Sequence, residues 1–128
     1  MEDYVIVFLD DDPNRAAILN QRMSSKDIEH TIWVRTVDET LDLLTNYKDK
    51  LRYVSLDHDL DGKTYVHSAR EDCGMEVVRF LEKANLKDYE NVVFIVHTWN
   101  TTAGMKMTAR LRDKGYKTLY VPYGMSAR

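Results

Sequence analysis

The sequence predicts a single α/β domain over residues 1–128, built on a doubly wound, five-stranded parallel sheet in the order 2-1-3-4-5. Two features predict it. Short apolar runs alternate with longer amphipathic stretches in a βαβαβαβαβ order, the pattern of strands joined by crossover helices. The clearest run is continuous and β-branched, as a strand buried on both faces requires. Right-handed crossovers wind the sheet on both faces, and ligands of such folds bind outside the carboxyl ends of the strands.

Each element has its own signal. Residues 4–9, YVIVFL, form the first strand. Pro13 suits the first position of a helix, with Asp12 as its N-cap, and Ala16, Ile18, Leu19 and Met23 follow close to helical spacing. Residues 31–36, TIWVRT, read as the second strand. Residues 37–47 read as a helix with Val37, Leu41, Leu44 and Tyr47 on one side. RYVSLD, residues 52–57, is the third strand. Residues 74–84 form a helix with Val77, Val78 and Leu81 inward. NVVFIVHT, residues 91–98, is the strongest strand in the chain. Residues 102–115 form a helix that stops at Gly115. KTLYVPY, residues 117–123, is the fifth strand, ended by Pro122.

Composition narrows the function. Of 128 residues, 44% are hydrophobic and 30% charged, enough for a real core. A net charge of -3 gives no basic footprint for duplex nucleic acid. The one cysteine, Cys73, allows no intrachain disulfide and suits a reducing compartment. No apolar run approaches the roughly 18 residues of a membrane helix. The acidic opening MEDYVIVFLDDD is the wrong pattern for a secretory signal. A cytoplasmic location is expected.

The strand ends carry the chemistry. Strand 1 ends in Asp10, Asp11 and Asp12. Strand 3 ends in Asp57, His58 and Asp59, with Asp61 beyond, and strand 4 in His97, Thr98 and Asn100. Strands 1, 3 and 4 are neighbours in the expected order, so these ends meet in one shallow cleft. Carboxylates gathered there repel, and their pKa values rise unless a cation neutralises the set. Clustered oxygen ligands suit a hard divalent ion, magnesium first and manganese next. Asp10, Asp11 and Asp57 are the candidate ligands, while Asp12 fits a helix cap.

Two histidines beside them bring acid/base chemistry near neutral pH, or a softer metal. Each has a bland alternative, as a buried histidine held by packing or hydrogen bonds. Successive strand residues point to opposite faces. Asp57 and Asp59 then share a direction that His58 opposes, unless the strand has already ended, and His97 and Thr98 face the same problem. His30 and His67 read as surface residues. Trp33 and Trp99 either pack or stack a nucleobase. Cys73 is not expected to be a nucleophile, because the pattern places no base beside it.

The stretches VFLDDDPNRAAIL, VSLD and CGMEVVRFL resemble response-regulator receiver domains, which share the flavodoxin-like sheet order. The resemblance implies magnesium on Asp10 and Asp11, a phosphorylatable aspartate at Asp57, and Thr98 beside the phosphoryl group. Several residues depart from that pattern. Val121-Pro122 stands where receivers carry a lysine before the proline. Only YGMSAR follows, too short for the receivers' last helix. Seventeen positions separate Asp57 from Gly74, a longer connection than in receivers, and it carries Lys63, His67, Ser68 and Arg70.

LDDD, LDHDL and HTWN together resemble a divergent receiver-like family proposed to process cyclic phosphates. That resemblance implies a metal-dependent phosphoesterase acting on a cyclic phosphate of a nucleotide or RNA end. The partner expected is then a small phosphorylated ligand, a cyclic nucleotide among the candidates. In such an enzyme His97 and His58 would share the acid and base roles, with His97 favoured. Asp57 would hold the metal and Asp59 would orient an imidazole. Thr98 and Asn100 would donate to phosphate oxygens, and Lys63, His67 and Arg70 would close over the substrate. The alternative is a non-catalytic receiver-like module that binds magnesium and a phosphorylated partner.

Overall fold

The computed structural model describes residues 3–60, 70 and 73–121. Five parallel strands form one sheet: β1 (Val5–Leu9), β2 (Thr31–Val34), β3 (Leu51–Leu56), β4 (Val93–Val96) and β5 (Lys117–Tyr120). Their order is β2-β1-β3-β4-β5, as expected. The helices are α1 (Pro13–Arg22), α2 (Ser25–Glu29), α3 (Val37–Asn46), α4 (Gly74–Lys83) and α5 (Thr101–Lys114). Among the described residues no helix is long and apolar enough to cross a membrane. The expectation that no helix follows β5 concerns residues 122–128, outside the described residues.

The register sorts the sheet into two faces. Val7, Val54 and Phe94 lie level on one face, and Leu9, Leu56 and Val96 level on the same face two residues on. All six are fully buried. They meet Leu44 of α3, Val77, Val78 and Leu81 of α4, and Met107 and Leu111 of α5 in one core. Each such side chain contributes roughly 1.5–3 kcal/mol by leaving water. The opposite face carries Phe8, Ser55 and Ile95 at one level. Its β3 and β5 positions Tyr53 and Leu119 are exposed.

The helix ends follow their sequence signals. Asp12 Oδ1 accepts the Asn14 N–H at 2.8 Å, the cap expected ahead of Pro13. Thr36 caps α3 by accepting from Glu39. Gly115 ends α5 at φ +109°, a left-handed conformation that a side chain would strain. Tyr47 falls at the C-cap of α3 and is exposed. It is therefore not part of that helix's inward stripe. An unexpected short helix, α2, is capped by Ser24 and buries no residue, so no apolar period announced it. His30 is not a plain surface residue: half-buried, it stacks on Tyr4 with centroids 4.0 Å apart.

Candidate functional site

The sheet register assembles the site. Leu9, Leu56 and Val96 are the last paired residues of β1, β3 and β4. The next residues are Asp10, Asp57 and His97. The ladder continues through them: the Asp57 N–H donates to Leu9 O at 3.1 Å and the His97 N–H to Leu56 O at 3.0 Å. Alternation then sends all three side chains to the face of Phe8, Ser55 and Ile95. Their ligating atoms lie within 4.8 Å of one another, and all three residues are buried. His58, one residue further, turns instead toward Cys73 at the start of α4.

Asp10 is the most heavily bonded of the three. Its Oδ2 accepts from His97 Nε2 at 2.9 Å and from Arg15 Nε at 2.6 Å, and its Oδ1 accepts the Asp12 N–H at 2.9 Å. Burial pushes the Asp10 carboxyl up, but the bonds from His97 and Arg15 outweigh it and hold the group below its ordinary value. Asp57 has fewer partners. Its Oδ1 accepts the His58 N–H at 2.8 Å, and its Oδ2 lies 3.3 Å from Arg15 Nη2. Burial pushes Asp57 up to about 6, His97 and Arg15 oppose that, and the Asp10 charge adds to it. Two adjacent carboxylates are thus driven in opposite directions, which gives them different protonation at mildly acidic pH.

His97 is held on three sides. Its Nε2 meets Asp10, its Nδ1 lies 2.7 Å from Ser55 Oγ, and its ring stacks on Phe8 with centroids 4.9 Å apart. Asp11 sits beside the group, its carboxylate 3.8 Å from Arg15 Nη2. Trp33 supports the β1 end by donating Nε1–H to the Asp10 carbonyl at 2.6 Å. Trp99 is 64% exposed next to the site.

The other expected residues form a second cluster on the α4 side. His58 is fully buried, and its Nδ1 lies 2.7 Å from Asp59 Oδ1. Asn100 Nδ2 is 3.4 Å from both Asp59 oxygens. Asn100 Oδ1 caps α5 by accepting the Ala103 N–H at 3.2 Å. Thr98 Oγ1 accepts the Asn100 N–H at 3.2 Å. Thr98 and Asn100 thus serve the turn into α5. Arg70 is exposed, and its carbonyl accepts from Arg79 at 2.7 Å. Lys63, His67 and Ser68 lie outside the described residues.

The reading of Cys73 is corrected. The sequence suggested no base beside it, yet the fold packs the His58 imidazole against its thiol. Burial pushes the thiol up. The hydrogen bond with His58, together with the Met75 N–H at the start of α4, brings it below its ordinary value. For His58 burial acts downward, and hydrogen bonds with Cys73 and Asp59 raise it.

Two contributors were not singled out in the sequence. Arg15 approaches four carboxylates, those of Asp10, Asp11, Asp12 and Asp57. Its spacing of three and four residues after Asp12 and Asp11 was the available signal. Gly74 fixes the β3 end. Its N–H donates to His58 O at 2.9 Å, and a Cβ there would fall 1.8 Å from the Asp57 carbonyl oxygen. Only glycine lets α4 approach that closely.

The two carboxylates fit a hard divalent ion such as magnesium or manganese, and the imidazole nitrogen beside them would suit a softer transition ion as a direct ligand. A family model described as the cyclic-phosphate processing receiver domain matches residues 5–113. Three solved structures share the fold. The signal receiver domain of a LuxO repressor protein from Vibrio parahaemolyticus is 16% identical with a TM-score of 0.57, covering 94% of this chain and 79% of that one. The non-phosphorylated HemR receiver domain from Leptospira biflexa is 18% identical with a TM-score of 0.61, covering 95% and 83%. The phosphorylated cyanobacterial phytochrome response regulator RcpA is 17% identical with a TM-score of 0.57, covering 97% and 85%. At such identities the likeness concerns the fold alone. A search of curated proteins finds no significant match. The family match covers most of the chain and agrees with the sheet order: the chain belongs to the cyclic-phosphate processing receiver domain family.

Proposed function

We propose that this chain is a metal-dependent phosphoesterase that opens a cyclic phosphate, with the ester of a nucleotide or an RNA end as substrate. The observation that supports it most is the convergence of Asp10, Asp57 and His97 within 4.8 Å at adjacent strand ends. A divalent ion bound there would neutralise a non-bridging phosphate oxygen and the charge that builds on it. The chain supplies the rest. Asp10 stays ionised and anchors the His97 imidazole through Nε2. His97 is the acid/base candidate, because it shares the sheet face of both carboxylates and His58 does not. Asp59 holds the His58 ring through Nδ1.

The test is direct. The purified protein is mixed with magnesium or manganese and 2′,3′-cyclic nucleotides, and phosphorus NMR follows appearance of a monoester. Turnover that disappears in Asp57→Ala and His97→Ala supports the reading. Absence of turnover over a panel of cyclic phosphates, with both ions, ends it. A second reading is a non-catalytic module that binds magnesium and a phosphorylated partner, favoured by the burial of His97 at 2% exposure. Stable labelling of Asp57 by acetyl phosphate would select it.

A further inference from the structure

We propose that Arg15 and a divalent ion compete for the same carboxylates, and that the displaced guanidinium then grips the phosphate of the ligand. This rests on the reading of Asp10 and Asp57 as metal ligands in the proposed function. The contacts carry the argument. Arg15 Nε donates to Asp10 Oδ2 at 2.6 Å, and Nη2 reaches Asp57 Oδ2 at 3.3 Å. The same guanidinium lies 3.8 Å from Asp11 and 3.7 Å from Asp12. Among the described residues it is the one lysine or arginine paired with Asp10 or Asp57. A guanidinium and a divalent ion cannot both bridge those carboxylates, since like charges at such distances repel strongly in a buried site.

Position decides what Arg15 does next. Its side chain is 25% exposed, whereas those of Asp10 and Asp57 are 0% and 4% exposed. The guanidinium therefore caps the mouth of the site and has a route outward. It is tethered in the first turn of α1, so it stays near the cleft after leaving Asp57. Its five N–H donors form a fork that fits phosphate oxygens as well as carboxylate oxygens. The ion frees Arg15 for phosphate, and phosphate draws Arg15 off the carboxylates. Each ligand thus tightens the other.

The test is calorimetry on the whole chain with magnesium and inorganic phosphate as the probes. Without phosphate, Arg15→Gln binds magnesium about tenfold more tightly than the unsubstituted protein, because no competitor is displaced. Saturated with magnesium, Arg15→Gln binds inorganic phosphate about tenfold more weakly. Arg15→Lys keeps the charge and loses the fork, so it restores the magnesium affinity but not the phosphate affinity. It also controls for misfolding of the first variant. Equal or weaker magnesium binding in Arg15→Gln overturns the competition, and unchanged phosphate binding overturns the grip. Neither readout needs turnover. A protein that shows both effects yet opens no cyclic phosphate leaves this inference standing and ends the phosphoesterase reading.

Discussion

Asp57→Asn should stabilise the metal-free protein at pH 8 and leave it unchanged near pH 4. Asp57 is 3% exposed, and burial raises its pKa from 3.8 to about 6. The unfolded chain releases this proton near 3.8, while the folded chain keeps it until about 6. Between those values the unfolded state binds fewer protons, so stability falls as pH rises. At about 1.4 kcal/mol per pH unit, the full loss above pH 6 is about 3 kcal/mol. Asparagine has the same shape, keeps an oxygen for the His58 N–H while giving up the 3.3 Å contact from Arg15, and never ionises. The substitution should therefore recover up to about 3 kcal/mol at pH 8 and almost nothing at pH 4. Urea unfolding in EDTA, followed by circular dichroism from pH 4 to 8, reads both limits. A pH-independent difference, or a loss of stability at pH 8, would refute the reasoning. Magnesium should then stabilise the unsubstituted protein at pH 8 and not the variant.

Asp10→Asn should show the opposite sign. The Asp10 pKa is depressed, so its contribution is present above 3.8 and fades as pH falls through the folded value; the variant should be less stable at pH 7, by a margin that shrinks on acidification in the same urea series. Gly74→Ala should cost about 3 kcal/mol, because its Cβ would meet the Asp57 carbonyl oxygen at 1.8 Å, and thermal unfolding should register the change alongside weakened metal uptake. Asn100→Ala removes the α5 cap and a contact to both Asp59 oxygens, and should lower stability by about 1 kcal/mol in urea; no change would mean that the Ala103 N–H finds another acceptor at no cost.

The fold was legible because its signals are local. YVIVFL and VVFIV are unbroken apolar runs, and the caps at Asp12 and Gly115 sit where the sequence put them. The site was legible in part for the same reason: Asp10, Asp57 and His97 each follow directly after a buried strand. What strand alternation left open, the register decided. Level pairing of Leu9, Leu56 and Val96 aims three side chains one way and sends His58 the other. That direction depends on where each strand stops, which a one-residue change reverses. Arg15 was missed because its partner Asp57 lies 42 residues away, and an arginine in a first helical turn looks like a solvated surface residue. The pairing of Cys73 with His58 was missed for a similar reason. It forms only because α4 starts against the β3 end, at the glycine that permits the approach.

Manganese uptake followed by electron paramagnetic resonance tests the central claim most directly, since free and protein-held ions give different spectra. One ion should bind per chain, and Asp10→Asn and Asp57→Asn should each abolish or strongly weaken uptake, while Asp59→Asn leaves it intact. Binding that survives both carboxylate substitutions, or no binding at millimolar manganese, would contradict it.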